Sequence, residues 1–358
     1  MADKELWLWL SGRIKSGNMK MKTLIDRFGS ISEVYGASPD RLASVSSLRD
    51  ADIVGLSDKS LAYSKAVLDE CRRKNIRVIT PFDGEYPSRL FDIADAPTVL
   101  FARGLPLPAE EVPTVGIVGT RNASSEGLDA VSKIAGEVAR GGGVVVSGLA
   151  CGIDTAAAKA ALENGGTTVA VFGCGADICY PAENKRLMER IIYNGTVVSE
   201  YPPGTRPTRA SFPKRNRIIS GLSSAVVIGE CPERSGALIT ADYAEKQKRK
   251  LFAIPAGVFS QSSGGANLLI SGGKAQAVFS GADIEGIKES APIKKKTETL
   301  KGNKARIYDE IEKSPKTPDE LIKILSLPPA SVLSDLTMLE ITGKIRRKPG
   351  NIFEIKRI

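Results

Sequence analysis

From Thr114 onward one pattern recurs along the chain. Short, continuously apolar, β-branched runs (TVGIVG, GVVVSG, TTVAVFG, TVVSE, SAVVIGE and KLFAIPAG) alternate with stretches of helical spacing at 124–140, 154–164 and 236–247. A strand that is apolar at every position has both faces out of water, and regular alternation with helices supplies the cover. The pattern predicts a doubly wound, Rossmann-like parallel sheet. No other feature restricts the fold so strongly.

The flanks read differently. Residues 1–85 show helical spacing, as in LWLWLSGRIKSGNMKMKTLIDRFGSISEVY, with little strand character, and predict a small helical domain of the SAM or helix-hairpin-helix kind. Residues 86–113 are proline-rich, with one apolar run at 98–102, and read as a connector. The sheet domain is assigned to 114–290. A lysine-rich, apolar-poor stretch at 291–303 reads as a linker. Residues 304–358 hold three helical segments and a basic hairpin about PGN, the layout of a winged helix.

Composition narrows the chemistry. The 358 residues contain no histidine, which removes Ser-His and Cys-His nucleophiles, histidine acids and histidine-ligated metals. The five cysteines form no CxxC pair, so neither a disulfide framework nor a structural zinc is expected. No uncharged apolar run approaches the roughly 18 residues of a membrane span, and MADKELWLWLSG lacks the basic start of a signal peptide. A cytoplasmic protein is expected, without membrane contact. Net charge of +9 favours a polyanionic partner, and the placement of that charge matters more than its sum.

Three strands run into glycine-rich loops: GTRNAS at 119–124, SGLACGID at 147–154 and GCGADICYPAEN at 173–184. In an open parallel sheet such loops gather at the carboxyl edge, where helix N-termini meet anions. Tight turns alone would explain any one of them. Neither a Walker loop nor a complete GxGxxG is present, so no nucleotide cofactor is expected. Arg121 stands where its guanidinium can clamp a phosphate beside Gly119 and Thr120; the alternative is a surface ion pair.

Within 206–217 lie Arg206, Arg209, Lys214, Arg215 and Arg217, with Phe212 among them and no acidic residue. This run, FPKRNRIISG at its heart, reads as a phosphate track with a base-stacking ring ahead of a short helix. Asn216 either pairs with a base edge or caps its helix. Lys246, Lys248, Arg249 and Lys250 enter from the amino edge of the sheet, and either complement a helix C-terminus or touch DNA.

Taken in order and spacing, GIVGTR, SGLACGID, YPAEN, SEYPPG, FPKRNRIISGLS, SGALITADYA and FAIPAG resemble the DprA (Smf) family of DNA-processing proteins over 114 to about 285. The resemblance implies an extended Rossmann domain that binds single-stranded DNA, dimerises, protects incoming DNA and loads RecA recombinase during natural transformation, with no catalysis. It places Gly119, Thr120 and Arg121 on the family's Gly-Ser-Arg phosphate contact. Arg209 falls on a basic pocket position, and Phe212, Lys214, Arg215 and Asn216 in the FPxRN motif. Arg249 takes the basic position ahead of FAxPG. Thr120, Lys159 and Ala237 depart from the family's usual residues.

Two rivals remain. The expected sheet topology also resembles that of nucleotide phosphoribohydrolases of the lysine-decarboxylase-like group, but aligning Ser235-Gly236 on their Gly-Thr puts Ile239 where the catalytic glutamate belongs. Glu230 would have to substitute. A duplex-binding regulator acting through wing residues Arg346, Arg347 and Lys348 is the other.

Overall fold

The computed structural model describes residues 2–14, 18–257, 259–289, 300, 302–341 and 344–355. Most of the stretch expected as a linker, 291–303, lies outside the described residues. The chain divides into two compact units, 1–290 and 291–358.

The first unit opens with six helices: α1 (Ala2–Arg13), α2 (Asn18–Phe28), α3 (Ile31–Gly36), α4 (Pro39–Ala43), α5 (Asp50–Ser57) and α6 (Ala62–Arg73). Ser30 and Ser38 cap α3 and α4 by accepting the Glu33 and Arg41 amides. Leu6 to Leu10 are all buried, so α1 is enclosed rather than amphipathic. Trp9 donates its indole N–H to the Asp58 carbonyl at 2.7 Å. These helices share one apolar cluster with Phe101, Ala170 and Phe172 of the sheet.

Nine strands make that sheet: β1 (Arg77–Ile79), β2 (Leu100–Gly104), β3 (Thr114–Val118), β4 (Val144–Ser147), β5 (Thr168–Phe172), β6 (Thr196–Ser199), β7 (Ala225–Ile228), β8 (Lys250–Ala253) and β9 (Gln276–Ala277). Their order is β1-β2-β6-β5-β4-β3-β7-β8-β9. β6 to β9 pair in parallel, while β1 and β2 form an antiparallel edge. β1 lies in a region that reads as helical; three residues are too few to write a strand period.

The parallel strands alternate between two cores. Val145 faces the cluster of α8 (Ser125–Arg140) and α9 (Ile153–Glu163), whereas Val144 and Val146 face the cluster holding Ile218 and Ala241. The remaining helices of the unit are α7 (Ser88–Phe91), α10 (Lys185–Asn194), α11 (Ser211–Leu222), α12 (Gly236–Lys246) and α13 (Gly264–Ser271). Connections from β3 lead towards β6, and those from β7 lead the other way towards β9. The strand order therefore reverses between β3 and β7, which opens a crevice at their carboxyl ends.

The second unit has α14 (Asn303–Lys313), α15 (Pro318–Leu325), α16 (Pro329–Ile341) and a hairpin of β10 (Ile345–Lys348) and β11 (Ile352–Ile355). Thr317 and Glu320 form a capping box at α15, with Pro318 in the first turn. Gly350 and Asn351 take positive φ in the hairpin turn. Ile307, Leu321, Leu336, Ile345 and Phe353 form its core. This is a winged helix. No helix among the described residues is long and apolar enough to cross a membrane.

Candidate nucleic-acid interface

The crevice at the strand reversal is an open cleft of about 610 Å³. Gly119, Thr120 and Arg121 supply one wall directly after β3, and Arg234 and Ser235 the other after β7. Ser235 caps α12 by accepting the Ala237 amide at 3.2 Å, so the positive end of that helix opens on the cleft.

Tight packing, more than a phosphate cradle, accounts for the glycines of the β4–α9 loop. Gly152 has φ +76, and a Cβ there would lie 2.3 Å from the Thr120 carbonyl oxygen, so the loops after β3 and β4 meet only without a side chain. At Gly148 a Cβ would fall 2.2 Å from the Arg215 guanidinium. Asp154 ties the same loops together, accepting the Gly148 amide at 2.9 Å and the Gly119 amide at 3.4 Å. Buried Asn184 donates to the Leu149 carbonyl at 2.9 Å and to Thr155 Oγ1 at 2.8 Å. Burial pushes the Asp154 carboxyl up, against the pull of Arg215 and three backbone amides.

The basic run is a loop only as far as Ala210. α11 begins at Ser211, so FPKRN forms its first turns, with Pro213 at a first-turn position that needs no amide hydrogen. Helical geometry then splits the run between two faces. Phe212, Arg215 and Asn216, three and four residues apart, turn to the cleft. Lys214 and Arg217 face a separate groove beyond the helix.

Two arginines thereby differ from a solvated phosphate track. Arg217 is buried and pairs with Glu200 at 2.5 Å and Asp95 at 3.0 Å. Burial alone would lower its pKa, but Glu200 and then Asp95 more than restore it. Arg215 is buried in the cleft floor and donates to the Val171 carbonyl. Burial lowers its pKa, and Asp154 opposes the shift. Its charge acts from below the surface. Asn216 caps nothing: it sits in the second turn of α11, donating to the Gly236 carbonyl and accepting from Arg215 Nε at 3.2 Å.

Arg209 and Arg121 are exposed on the cleft. The Arg121 guanidinium lies 5.5 Å from the Phe212 ring centroid. Tyr180, 44% exposed, brings its ring centroid to 5.3 Å from Phe212. Sequence reasoning missed Tyr180, although it stands inside a motif already singled out, and missed exposed Arg234, a cation beside a helix start. Arg249 is elsewhere. At the start of β8, on the amino edge, it donates to the Arg89 carbonyl at 2.7 Å and the Gly221 carbonyl at 3.4 Å. Those carbonyls lie at the ends of α7 and α11, so Arg249 stitches helix termini instead of lining the cleft.

The rival sites look different. Ile239 lines the cleft where a hydrolase would need a carboxylate. Glu230 is buried and occupied by Ser124, accepting its amide at 2.9 Å and its hydroxyl at 2.7 Å, and it lines another cavity. On the wing, Glu354 pairs with Arg346 at 2.6 Å and with Lys348 at 2.8 Å, and Arg347 lies over the Phe353 ring.

Comparison with known proteins agrees with this architecture. Residues 77–287 match the family described as DNA recombination-mediator protein A, and residues 291–351 match the DprA winged helix domain. Protein Smf of Synechocystis sp. is 32% identical, with 98% of each chain covered. DNA processing protein DprA of Streptococcus pneumoniae is 43% identical over 62% of this chain and 72% of its own. Among solved structures, DprA from Streptococcus pneumoniae matches with TM-score 0.67 and 35% identity over 80% of this chain and 97% of that one. A structure titled for the single-stranded DNA binding mode of DprA from Helicobacter pylori matches with TM-score 0.51 and 30% identity, over 58% and 93%. On the strength of matches that span both the sheet and the winged helix, this chain belongs to the DprA (Smf) family of DNA-processing proteins.

Proposed function

We propose that this protein binds single-stranded DNA in the carboxyl-edge cleft without chemistry on it, protects incoming DNA, and hands the strand to RecA recombinase during natural transformation. The observation that carries the reading is the convergence of Phe212 and Tyr180 with Arg121, beside exposed Arg209 and Arg234, at the strand reversal. Aromatic faces reward unpaired bases, and unpaired surface arginines attract the phosphates between them. The solved Helicobacter pylori relative, described by its single-stranded DNA binding mode, supports the same assignment. The protein works in the cytoplasm as a homodimer. For the dimer, the candidate surface is the late part of the sheet domain, where Leu268 and Phe279 are exposed; sedimentation showing monomer alone at tens of micromolar would count against it.

The test separates charge from stacking. Arg121→Glu and Arg209→Glu should each weaken single-stranded DNA binding and flatten the dependence of log affinity on log salt, by about 0.7 for each phosphate no longer neutralised. Phe212→Ala should cost about 1–3 kcal/mol with the slope kept. Parent-like binding by all three variants would sink the proposal, as would release of free base from nucleoside monophosphates.

A further inference from the structure

The groove on the far side of α11 holds about 390 Å³ and is lined by Arg13, Tyr63, Val99, Tyr201, Lys214 and Arg217, among others. Its charges are arranged in a particular way. The acidic groups nearby are already paired: Glu200 and Asp95 with Arg217, and Asp58 with Arg13 at 2.5 Å. Lys214 is exposed and has no ion-pair partner among the described residues. The groove therefore carries an uncompensated cation.

It also carries aromatic surface. Tyr63 is 48% exposed, and Tyr201, also in the lining, is half-buried. A phenol is uncharged at neutral pH and offers no repulsion to an anion; burial, then Glu200, raises the Tyr201 hydroxyl further, to about 12. Cation, ring faces and an apolar floor at Val99 repeat the kind of surface found in the cleft.

Continuity names the occupant. α11 is the wall between the two sites: Pro213 lines the cleft and Lys214, the next residue, lines the groove. A helix with side chains is only about 10–12 Å across, so a flexible strand leaving the cleft over its first turn meets Lys214 directly. We infer that this groove is a second segment of the single-strand path, in which Lys214 holds a phosphate and Tyr63 stacks a base. The inference rests on the cleft reading above and extends it around α11.

Single-strand sites span about 4 to about 16 nucleotides, and length is therefore the variable to scan. Affinity for oligothymidylates across that range is measured with the full-length parent, Tyr63→Ala and Lys214→Glu. The parent should gain affinity with length and then level off. Both variants should match it on the shortest oligomers that bind and level off earlier, about tenfold weaker on the longest, which for Tyr63→Ala is the size of one stacked base. Because both side chains are exposed, neither substitution opens the core. Coincident curves at every length would overturn the inference, and so would a parallel loss at all lengths, which would make Lys214 part of the cleft's field. Full parental affinity already at the shortest length would overturn it too. A parent that binds no oligomer refutes the cleft reading instead.

Discussion

Arg217 and Arg209 look alike in the sequence, and the structure assigns them opposite consequences. Arg217 has 3% of its side chain exposed and faces Glu200, itself 13% exposed. Arg217→Ala leaves the Glu200 carboxylate buried without its partner, a change that costs about 3–5 kcal/mol. The second arm adds little, because Asp95 is 44% exposed and its charge is screened. The lower end, about 3 kcal/mol, is therefore expected. At about 2.1 cal/mol/K per residue, a unit spanning residues 1–290 moves its midpoint by about 1.6 °C for each kcal/mol, so thermal unfolding should shift down by about 5 °C. Arg209→Ala, at an exposed position, should stay within about 0.5 kcal/mol of the parent and lose single-stranded DNA affinity. Thermal unfolding and fluorescence anisotropy on the same samples separate the two. Adding Glu200→Ala to Arg217→Ala should cost less than the sum of the single changes, since they share one interaction. An Arg217→Ala protein as stable as the parent, or an Arg209→Ala protein that unfolds early, would refute the division of the basic run at 206–217 into binding and structural arginines.

Gly148→Ala should destabilise by about 1–3 kcal/mol and displace Arg215, because the added Cβ falls within 2.2 Å of its guanidinium; chemical denaturation checks this, and a neutral substitution would contradict the packing. Asp177 pairs with Lys74 at 2.5 Å and accepts the Gly204 amide. Burial would raise the Asp177 pKa, but Lys74 and that amide hold it below the ordinary value. Its stabilising contribution is accordingly full above about pH 3.9 and lost as the pH falls through the depressed folded value. Asp177→Asn should remove that part of the acid-side slope in stability measured between neutral and low pH, whereas an unchanged slope would show the pair to be idle. As a proposal for the domain boundaries, limited trypsin digestion should cut first within 290–303, where lysines stand among few apolar residues; early cuts inside 114–285 would argue against it.

Much of this protein was legible before any coordinate. The strands β3 to β8 are buried on both faces, and such strands write short, uninterrupted β-branched runs whose length and composition separate them from buried helix. The hairpin about Gly350 and Asn351 follows from turn residues that tolerate positive φ. The carboxyl-edge position of the cleft follows from the order of strands and loops alone. Short elements were not legible: β1 and β9 are too brief to show a period and exist because the sheet offers them an edge.

What only the tertiary structure decided is the use made of each charge. Every charged residue within 206–217 is basic, and composition has no direction. Once α11 starts at Ser211, the 3.6-residue turn sends Phe212, Arg215 and Asn216 to one side and Lys214 and Arg217 to the other. Glu200 and Asp95, distant in the chain, then claim Arg217, and the β4–α9 loop closes over Arg215. Tyr180 reaches Phe212 across 32 positions of sequence by the same means. Burial and partners across the fold, which no local pattern encodes, separate the arginine locked in an ion pair from the arginine left exposed on the cleft.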